Sequence, residues 1–148
     1  MSHSSLFAHI VFSTKERRPW LREDVRPRIF QYMGGIAANM KCDLIGAGGV
    51  ADHVHLVVLV HPSVAAADFV RTLKSNSSGW VHEVLPDLAG FAWQDGYAAF
   101  SVSMSVLPRV KQYVATQEAH HKKMTFEQEL VELFRRHNIA YDPRYLLG

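Results

Sequence analysis

His53 and His55 are the first residues whose types and spacing could do chemistry. They lie in the apolar run 53–60, whose lack of glycine and proline is typical of a buried strand. Alternate residues of a strand point to the same face, so the two imidazoles would project side by side and could share one metal ion. With nine histidines in 148 residues, chance alone supplies roughly half a His-x-His pair per chain. The pair therefore needs independent support.

Tyr113 and Gln117 form a second constellation. Their spacing of four residues stacks them one turn apart on a predicted helix. A phenol, with a pKa of about 10, becomes a useful nucleophile when a metal ion activates the phosphate it attacks and a base takes its proton. The glutamine carbonyl is a neutral oxygen ligand that could complete the histidine site. From spacing alone, a half-buried tyrosine with its hydroxyl in water and a solvated glutamine are the favoured interpretations over this phosphodiester-transfer site.

The elements that must position these residues follow from the apolar periodicity. Strands are predicted at residues 6–13, 44–50, 53–60, 91–93 and 98–103. Helices are predicted at 22–41, from a cap at Ser63 to Pro86, from a cap at Ser105 to about His120, and from a capping box at Thr125 to Arg136.

The order of the main elements predicts an α+β, ferredoxin-like (RRM-like) antiparallel sheet. Its first and third strands would be central, and helices would cover one face and leave the other free for a ligand. The histidine strand is the third strand, so both imidazoles would lie at the centre of the open face. The helix that carries Tyr113 is additional to the basic fold.

Length and composition predict a single globular domain spanning residues 1–148. The formal charge is only +2, but basic residues cluster in residues 15–28. Candidate phosphate contacts, weighed against a solvated surface, are Lys15, Arg17, Arg18 and Lys74. The single cysteine suits a reducing cytosol. No apolar stretch approaches the ~18 residues of a membrane span, so we expect a cytoplasmic protein with no membrane partner.

Four further polar residues have two interpretations each. Asp52 could orient His53 or His55 from behind, or could be an ordinary turn residue. His9 could neighbour the site, but a packed strand histidine is the favoured interpretation. His120 and His121 could form a second metal site, but we expect a surface role for both.

Several motifs together resemble the single-tyrosine HUH transposases of bacterial insertion sequences, including the REP-associated tyrosine transposases. Residues 7–15 (FAHIVFSTK) are similar to the first strand and basic loop of that family, and residues 52–58 (DHVHLVV) match its histidine-hydrophobic-histidine motif. Residues 93–97 (WQDGY) and 100–103 (FSVS) resemble the strand before the catalytic helix. Residues 113–118 (YVATQE) resemble the tyrosine motif.

The resemblance implies a role for each matched residue. His53, His55 and Gln117 would hold one divalent ion, Mg²⁺ or Mn²⁺. Tyr113 would attack a DNA phosphate and leave a 5′-phosphotyrosine and a free 3′-OH. The expected substrate is single-stranded DNA with hairpins near the element ends. The expected working unit is a homodimer whose active sites are shared between subunits.

Two other functions remain open from the sequence. A domesticated HUH nickase would cleave hairpin repeats without moving its own gene. A ferredoxin-like domain could also bind RNA or DNA without chemistry, although the sheet lacks an obvious aromatic RNP signature. Only an enzyme would become covalently linked to DNA.

Overall fold

The computed structural model describes residues 1–147. The strands are β1 (Phe7–Ser13), β2 (Asp43–Val50), β3 (His53–Leu59) and β4 (Ala98–Val102). The helices are α1 (Arg26–Asn39), α2 (Ala66–Val84), α3 (Leu107–Ala115), α4 (Gln117–His120) and α5 (Phe126–Arg136). Among these residues, no helix is long and apolar enough to cross a membrane.

The four strands form one antiparallel sheet in the order β2-β3-β1-β4. This order confirms the predicted ferredoxin-like α+β fold, with β1 and β3 at the centre. In the register of these two strands, His55 is opposite Val11 and His53 is opposite Ser13. The histidine strand therefore has a hydrogen-bonded neighbour on each side, which fixes the direction of both imidazoles.

Both faces of the sheet are buried. One face packs against α1 and α2 around alternate strand residues such as Ile10 and Leu56. On the other face, Val11 and Phe100 pack against the apolar side of α5. The predicted open face is therefore wrong: α3 and α5 cover it, because the apolar side of α5 gains stability by burial there.

Several predicted element boundaries shift for local reasons. Helix α1 begins at Arg26, with Pro27 in its first turn, rather than at residue 22. Ser63 is not the cap of α2, because that cap is Ala65 and the Ser63 hydroxyl lies 2.7 Å from His61 Nδ1. The predicted strand 91–93 is reduced to an isolated bridge between Trp93 and Thr14.

The predicted capping box of α5 is confirmed: the Thr125 hydroxyl accepts from the Gln128 backbone, and the Gln128 side chain accepts from the Thr125 backbone. These two reciprocal bonds satisfy backbone N–H groups at the start of the helix. The first turn of α5 is thereby fixed beside the histidine strand, which makes the cap part of the architecture around the site.

The predicted continuous helix 105–120 is broken in two. A 3₁₀ turn, Met104–Val106, precedes α3, and the Ser105 hydroxyl lies 2.8 Å from that of Ser103 instead of capping the helix. At Thr116 the backbone leaves helical geometry, with φ −111° and ψ 34°. The Thr116 hydroxyl donates to the carbonyl of Gln112 at 2.9 Å, a side-chain bond that competes with regular helix geometry.

Helix α3 lies directly on strand β2, where the sequence has a glycine cluster. A Cβ atom added at Gly48 would lie 1.8 Å from the carbonyl oxygen of Val114. Only glycine therefore permits this approach of helix backbone to strand backbone. Since Val114 follows Tyr113, the glycine sets the position of the tyrosine.

Candidate metal and tyrosine site

The two histidines of β3 project from the sheet toward α4 and α5, and both are fully buried. Their ring centroids are 5.3 Å apart. The same face of the sheet holds His9, whose Nε2 lies 2.8 Å from His55 Nδ1. The favoured interpretation of His9 as a packed histidine is incomplete, since it is buried and also contacts the site.

Two residues from outside the sheet complete a cluster with these histidines. His121 Nε2 lies 3.1 Å from His53 Nε2 and 3.1 Å from Glu129 Oε1. Glu129 Oε1 is also 2.8 Å from His55 Nε2 and 3.5 Å from His53 Nε2. One donor atom from each of the four residues lies within 4.8 Å of every other. Such a group could hold a metal ion.

Each imidazole of the cluster is anchored by its second ring nitrogen. His53 Nδ1 lies 2.8 Å from Asp52 Oδ1, and His121 Nδ1 lies 3.1 Å from the carbonyl oxygen of Met124. His55 Nδ1 has His9 as its partner. Outer partners of this kind fix the ring orientation of histidine ligands in metal sites. Asp52 is therefore hydrogen-bonded to His53, as the first of its two interpretations requires.

Burial and hydrogen bonds within the cluster shift the pKa values of its histidines and its carboxylate. Burial lowers the pKa of His55 to about 4 and that of His9 to about 3, so both are neutral near pH 7. Burial also disfavours a charged His53, but its hydrogen bonds to Asp52 and Glu129 outweigh this effect and raise its pKa. Burial alone would raise the pKa of Glu129, yet hydrogen bonds from His53 and His55 lower it, so the carboxylate is ionised.

Tyr113 faces the same cluster from α3. Its hydroxyl donates to Glu129 Oε2, whereas the histidines contact the other carboxylate oxygen, Oε1. Burial, followed by the contact with Glu129, raises the pKa of this phenol, so it is neutral. Its ring centroid lies 5.8 Å from that of His55. Tyr113 therefore lies beside the histidines of β3 in the same chain.

Gln117 is fully buried beside the tyrosine. Its Nε2 donates to the backbone carbonyl of Tyr113 at 3.1 Å, and its Oε1 lies 3.2 Å from His121 Nε2. The fold thus brings Tyr113, Gln117 and both β3 histidines together, as the sequence predicted.

His121 and Glu129 are the residues that the sequence reasoning missed. The expected surface role of His121 is wrong, because its side chain is 12% exposed and contacts His53. A signal existed: His121 follows Gln117 by four residues, one helical turn later. Glu129 lies between Phe126 and Leu130 on the buried side of α5, where an unpaired carboxylate would be costly.

The four predicted phosphate contacts have different surroundings. Lys15 is exposed. Arg17 forms ion pairs with Asp52 and Glu127, and Arg18 pairs with Glu16. Lys74 donates to the backbone carbonyls of residues 94, 95 and 96 at 2.6, 3.1 and 2.7 Å. Burial lowers the pKa of Lys74 to about 8, and its three bonds stabilise the loop before β4.

Two open clefts flank the cluster. One, of about 640 Å³, is lined by His53 and His121 together with basic residues that include Lys122 and Lys123. The other, of about 400 Å³, is lined by Tyr113 and includes Arg109 and Arg136. Positive charge therefore lies beside both the histidine side and the tyrosine side of the site.

The fold and this sequence have known relatives. A sequence relative is the ISDra2 transposase TnpA of Deinococcus radiodurans, 27% identical over 114 residues that cover 74% of this chain and 81% of the relative. A crystal structure from Deinococcus radiodurans R1, described as a candidate transposase, superposes with a TM-score of 0.65 at 25% identity, covering 76% of this chain and 91% of that one.

A second solved structure, a REP-associated tyrosine transposase bound to a REP hairpin, has the same fold, with a TM-score of 0.56 at 12% identity. It covers 77% of this chain and 70% of that one. The family model described as "Transposase IS200 like" matches residues 2–117, well over half of the sequence. This chain therefore belongs to the family of IS200-like transposases.

Proposed function

We propose that this chain cleaves and rejoins single-stranded DNA through a 5′-phosphotyrosine intermediate on Tyr113. The observation that carries the proposal is the hydroxyl of Tyr113, which is directed into a buried cluster of histidines and a carboxylate. Membership of a transposase family supplies DNA as the substrate class. Packing alone does not explain this cluster, because burying polar groups costs folding free energy that apolar side chains would not cost. Clusters of this kind are typical of functional sites.

In the proposed reaction, the Tyr113 oxygen forms a bond to the scissile phosphorus, and the bond from phosphorus to the 3′-oxygen breaks. The upstream segment leaves with a free 3′-OH, its oxygen taking a proton from water, and the downstream segment keeps a 5′-phosphate link to tyrosine. The phenol is neutral and its proton points at Glu129, so this carboxylate is placed to receive it. Because the phosphotyrosine retains the diester linkage, attack by a 3′-OH reverses the step and rejoins DNA.

The metal ligands that we propose from the motif are His53, His55 and Gln117, with Mg²⁺ or Mn²⁺ as the ion. The residues fit such an ion: the imidazoles are buried, anchored from behind by Asp52 and His9, and free of a competing backbone partner at Nε2. When bound, the ion would polarise a phosphate oxygen and stabilise the charge that develops in the transition state. The chain's own part is to fix its ligands and exclude bulk water.

The proposed substrate is a single strand that carries a hairpin, as in the relative solved with a REP hairpin. The scissile strand would lie in the cleft beside Tyr113, with Arg109 as a phosphate contact. Lys15, Arg17 and Arg18 would contact the backbone near the other cleft. For Lys74 to do so, it would have to exchange a carbonyl partner for a phosphate.

We further propose a homodimer in which α3 of one subunit completes the site of the other. Two joints would permit this exchange, the 3₁₀ turn Met104–Val106 before α3 and the break at Thr116 after it. The test is complementation between a Tyr113→Phe subunit and a His53→Ala subunit. Regained cleavage would support shared sites. A dead mixture, after subunit exchange is demonstrated, would show that each chain uses its own tyrosine.

The main experiment incubates the protein and a divalent ion with labelled single-stranded DNA from the flanks of its own gene. A denaturing gel should reveal a covalent adduct between the protein and the 5′ end of the downstream DNA fragment. Tyr113→Phe is the matched control, since it removes only the hydroxyl. An adduct of equal yield in that variant would refute the proposed nucleophile, and its absence from the wild type on all flanking strands would refute the function.

A further inference from the structure

The strongest unexplained feature is the pair His121 and Glu129, which lies beyond the residues matched by the family model. We propose that both are additional ligands of the ion proposed above for His53, His55 and Gln117, so that three histidines and one carboxylate dominate the site and select a transition-metal ion such as Mn²⁺ or Zn²⁺ over Mg²⁺. The proposal deepens the function above, because it concerns the same site.

The first argument comes from the orientation of two imidazoles. Nδ1 of His53 lies against the Asp52 carboxylate and Nδ1 of His121 lies against the Met124 carbonyl, so both rings are held from the side away from the cluster. Nε2 of each ring is therefore directed into the cluster, where the two Nε2 atoms lie 3.1 Å apart. Nε2 is an atom through which an imidazole binds a metal ion.

The second argument is that Glu129 adds negative charge at the same point. Its Oε1 lies 3.1 Å from His121 Nε2 and 3.5 Å from His53 Nε2. Two imidazole nitrogens and one carboxylate oxygen thus converge on one point of a buried site. A metal ion is a cation that all three can bind at once.

The third argument is the spacing of the donor atoms. Nitrogen ligands about 2.0–2.1 Å from a tetrahedral ion lie about 3.3 Å from one another. The distances among the four donor atoms include values of 2.8, 3.1, 3.1 and 3.5 Å. Four of the six distances among the donor atoms are therefore close to the spacing around a bound ion, and all six are at most 4.8 Å.

The fourth argument concerns which ion fits. Imidazole nitrogen suits Zn²⁺ and Fe²⁺, and Mn²⁺ accepts nitrogen ligands more readily than Mg²⁺, which demands near-ideal octahedral geometry and keeps several waters. Three nitrogens and one carboxylate oxygen in a site from which His53, His55 and Glu129 are almost completely hidden disfavour a hydrated Mg²⁺. The anchored second nitrogens of all three imidazoles resemble the outer partners of established histidine sites.

The test titrates Mn²⁺, Zn²⁺ and Mg²⁺ into the full-length, chelator-treated protein by calorimetry, without DNA. The informative variants are His121→Asn and Glu129→Gln. Their matched controls are His120→Asn, one residue away, and Glu132→Gln, which is more exposed and lies on the same helix. Loss of an outer partner costs 10–100-fold in metal affinity, so loss of a direct ligand should weaken Mn²⁺ binding by about 100-fold or more.

The expected result is one equivalent of Mn²⁺ or Zn²⁺, bound at least about 100-fold more tightly than Mg²⁺, and weakened by both informative variants but by neither control. Variants that bind Mn²⁺ as tightly as the wild type would overturn the proposal, as would a wild type that binds no ion. If either variant fails to fold, X-ray absorption of the Zn²⁺-loaded wild type decides, since three imidazoles support the proposal and two overturn it.

This experiment separates the inference from the proposed function. A protein that binds metal as expected but never links to DNA would refute only the strand-transfer reaction. If the wild type forms the DNA adduct but the Glu129→Gln variant binds Mn²⁺ as tightly as the wild type does, only the extra ligands are refuted.

Discussion

The substitution Gly48→Ala should disable the tyrosine without disrupting the sheet. The added Cβ would lie 1.8 Å from the carbonyl oxygen of Val114 and 2.8 Å from its carbonyl carbon. A carbon–oxygen contact needs about 3.3 Å, so α3 must move back by about 1.5 Å to relieve the 1.8 Å approach of the added Cβ. Backbone lies on both sides of this contact, and no side chain can rotate away to relieve it.

The expected magnitude follows from that displacement. A shift of about 1 Å in a reacting group costs about 100-fold in rate, and Tyr113 is the neighbour of Val114 in sequence. We therefore expect adduct formation to fall by about 100-fold or more. Overpacking costs about 1–3 kcal/mol of stability, a loss that the core formed by α1, α2 and the sheet should withstand.

The matched control is Gly46→Ala in the same strand. A Cβ at Gly46 would make ordinary contacts of 3.5 Å with Val57 and 3.7 Å with Lys111. The assay measures the initial rate of covalent adduct formation on single-stranded DNA, alongside denaturant unfolding of both variants. A Gly48→Ala protein that matches Gly46→Ala in rate and in stability would refute the argument that the glycine positions the tyrosine helix.

Four further predictions follow from the site. Tyr113→Phe should abolish the covalent adduct, while DNA affinity measured by filter retention stays near the wild-type value. An adduct in the variant would exclude Tyr113 as nucleophile. His53→Ala, or chelation of the wild type, should abolish cleavage on a denaturing gel, with Gln117→Ala losing less because a neutral amide binds metal more weakly than imidazole; full activity in excess chelator would contradict this. Asp52→Asn should weaken Mn²⁺ binding by about 10–100-fold in calorimetry, whereas the exposed Asp68→Asn should not, and equal affinities would argue against an orienting role. DNA affinity should fall linearly on a log–log plot against salt, and a fully paired duplex should resist cleavage, so equal cleavage of duplex and single strand would count against the proposed substrate.

Periodicity was sufficient to predict the framework of the fold. The order of the elements predicted the central place of β1 and β3. The spacing of His53 and His55 predicted their shared face, because side-chain direction on a strand follows from position alone. The capping box at Thr125 likewise predicted the start of α5 from local chemistry. These features depend on residues near one another in sequence.

The missed ligand candidates depend on contacts that are distant in sequence. Glu129 is separated from His55 by 74 residues, and their contact exists only because α5 docks on a face that was expected to be open. His121 follows the break at Thr116, so its side chain does not lie where a continuous helix would place it. Neither docking nor the break has a pattern in a single sequence, although the buried position of a carboxylate among apolar residues was a clue.

The break at Thr116 also limits how the nucleophile can move. Helix α3 has only nine residues, fewer than the ~12–15 that an isolated helix needs for marginal stability in water. Detached from β2, it would unravel rather than swing as a rigid arm, and Tyr113 would lose the geometry needed for attack. Transfer of the tyrosine between subunits would then require local unfolding and refolding of α3. While α3 is unfolded, Tyr113 would be unable to attack a DNA phosphate.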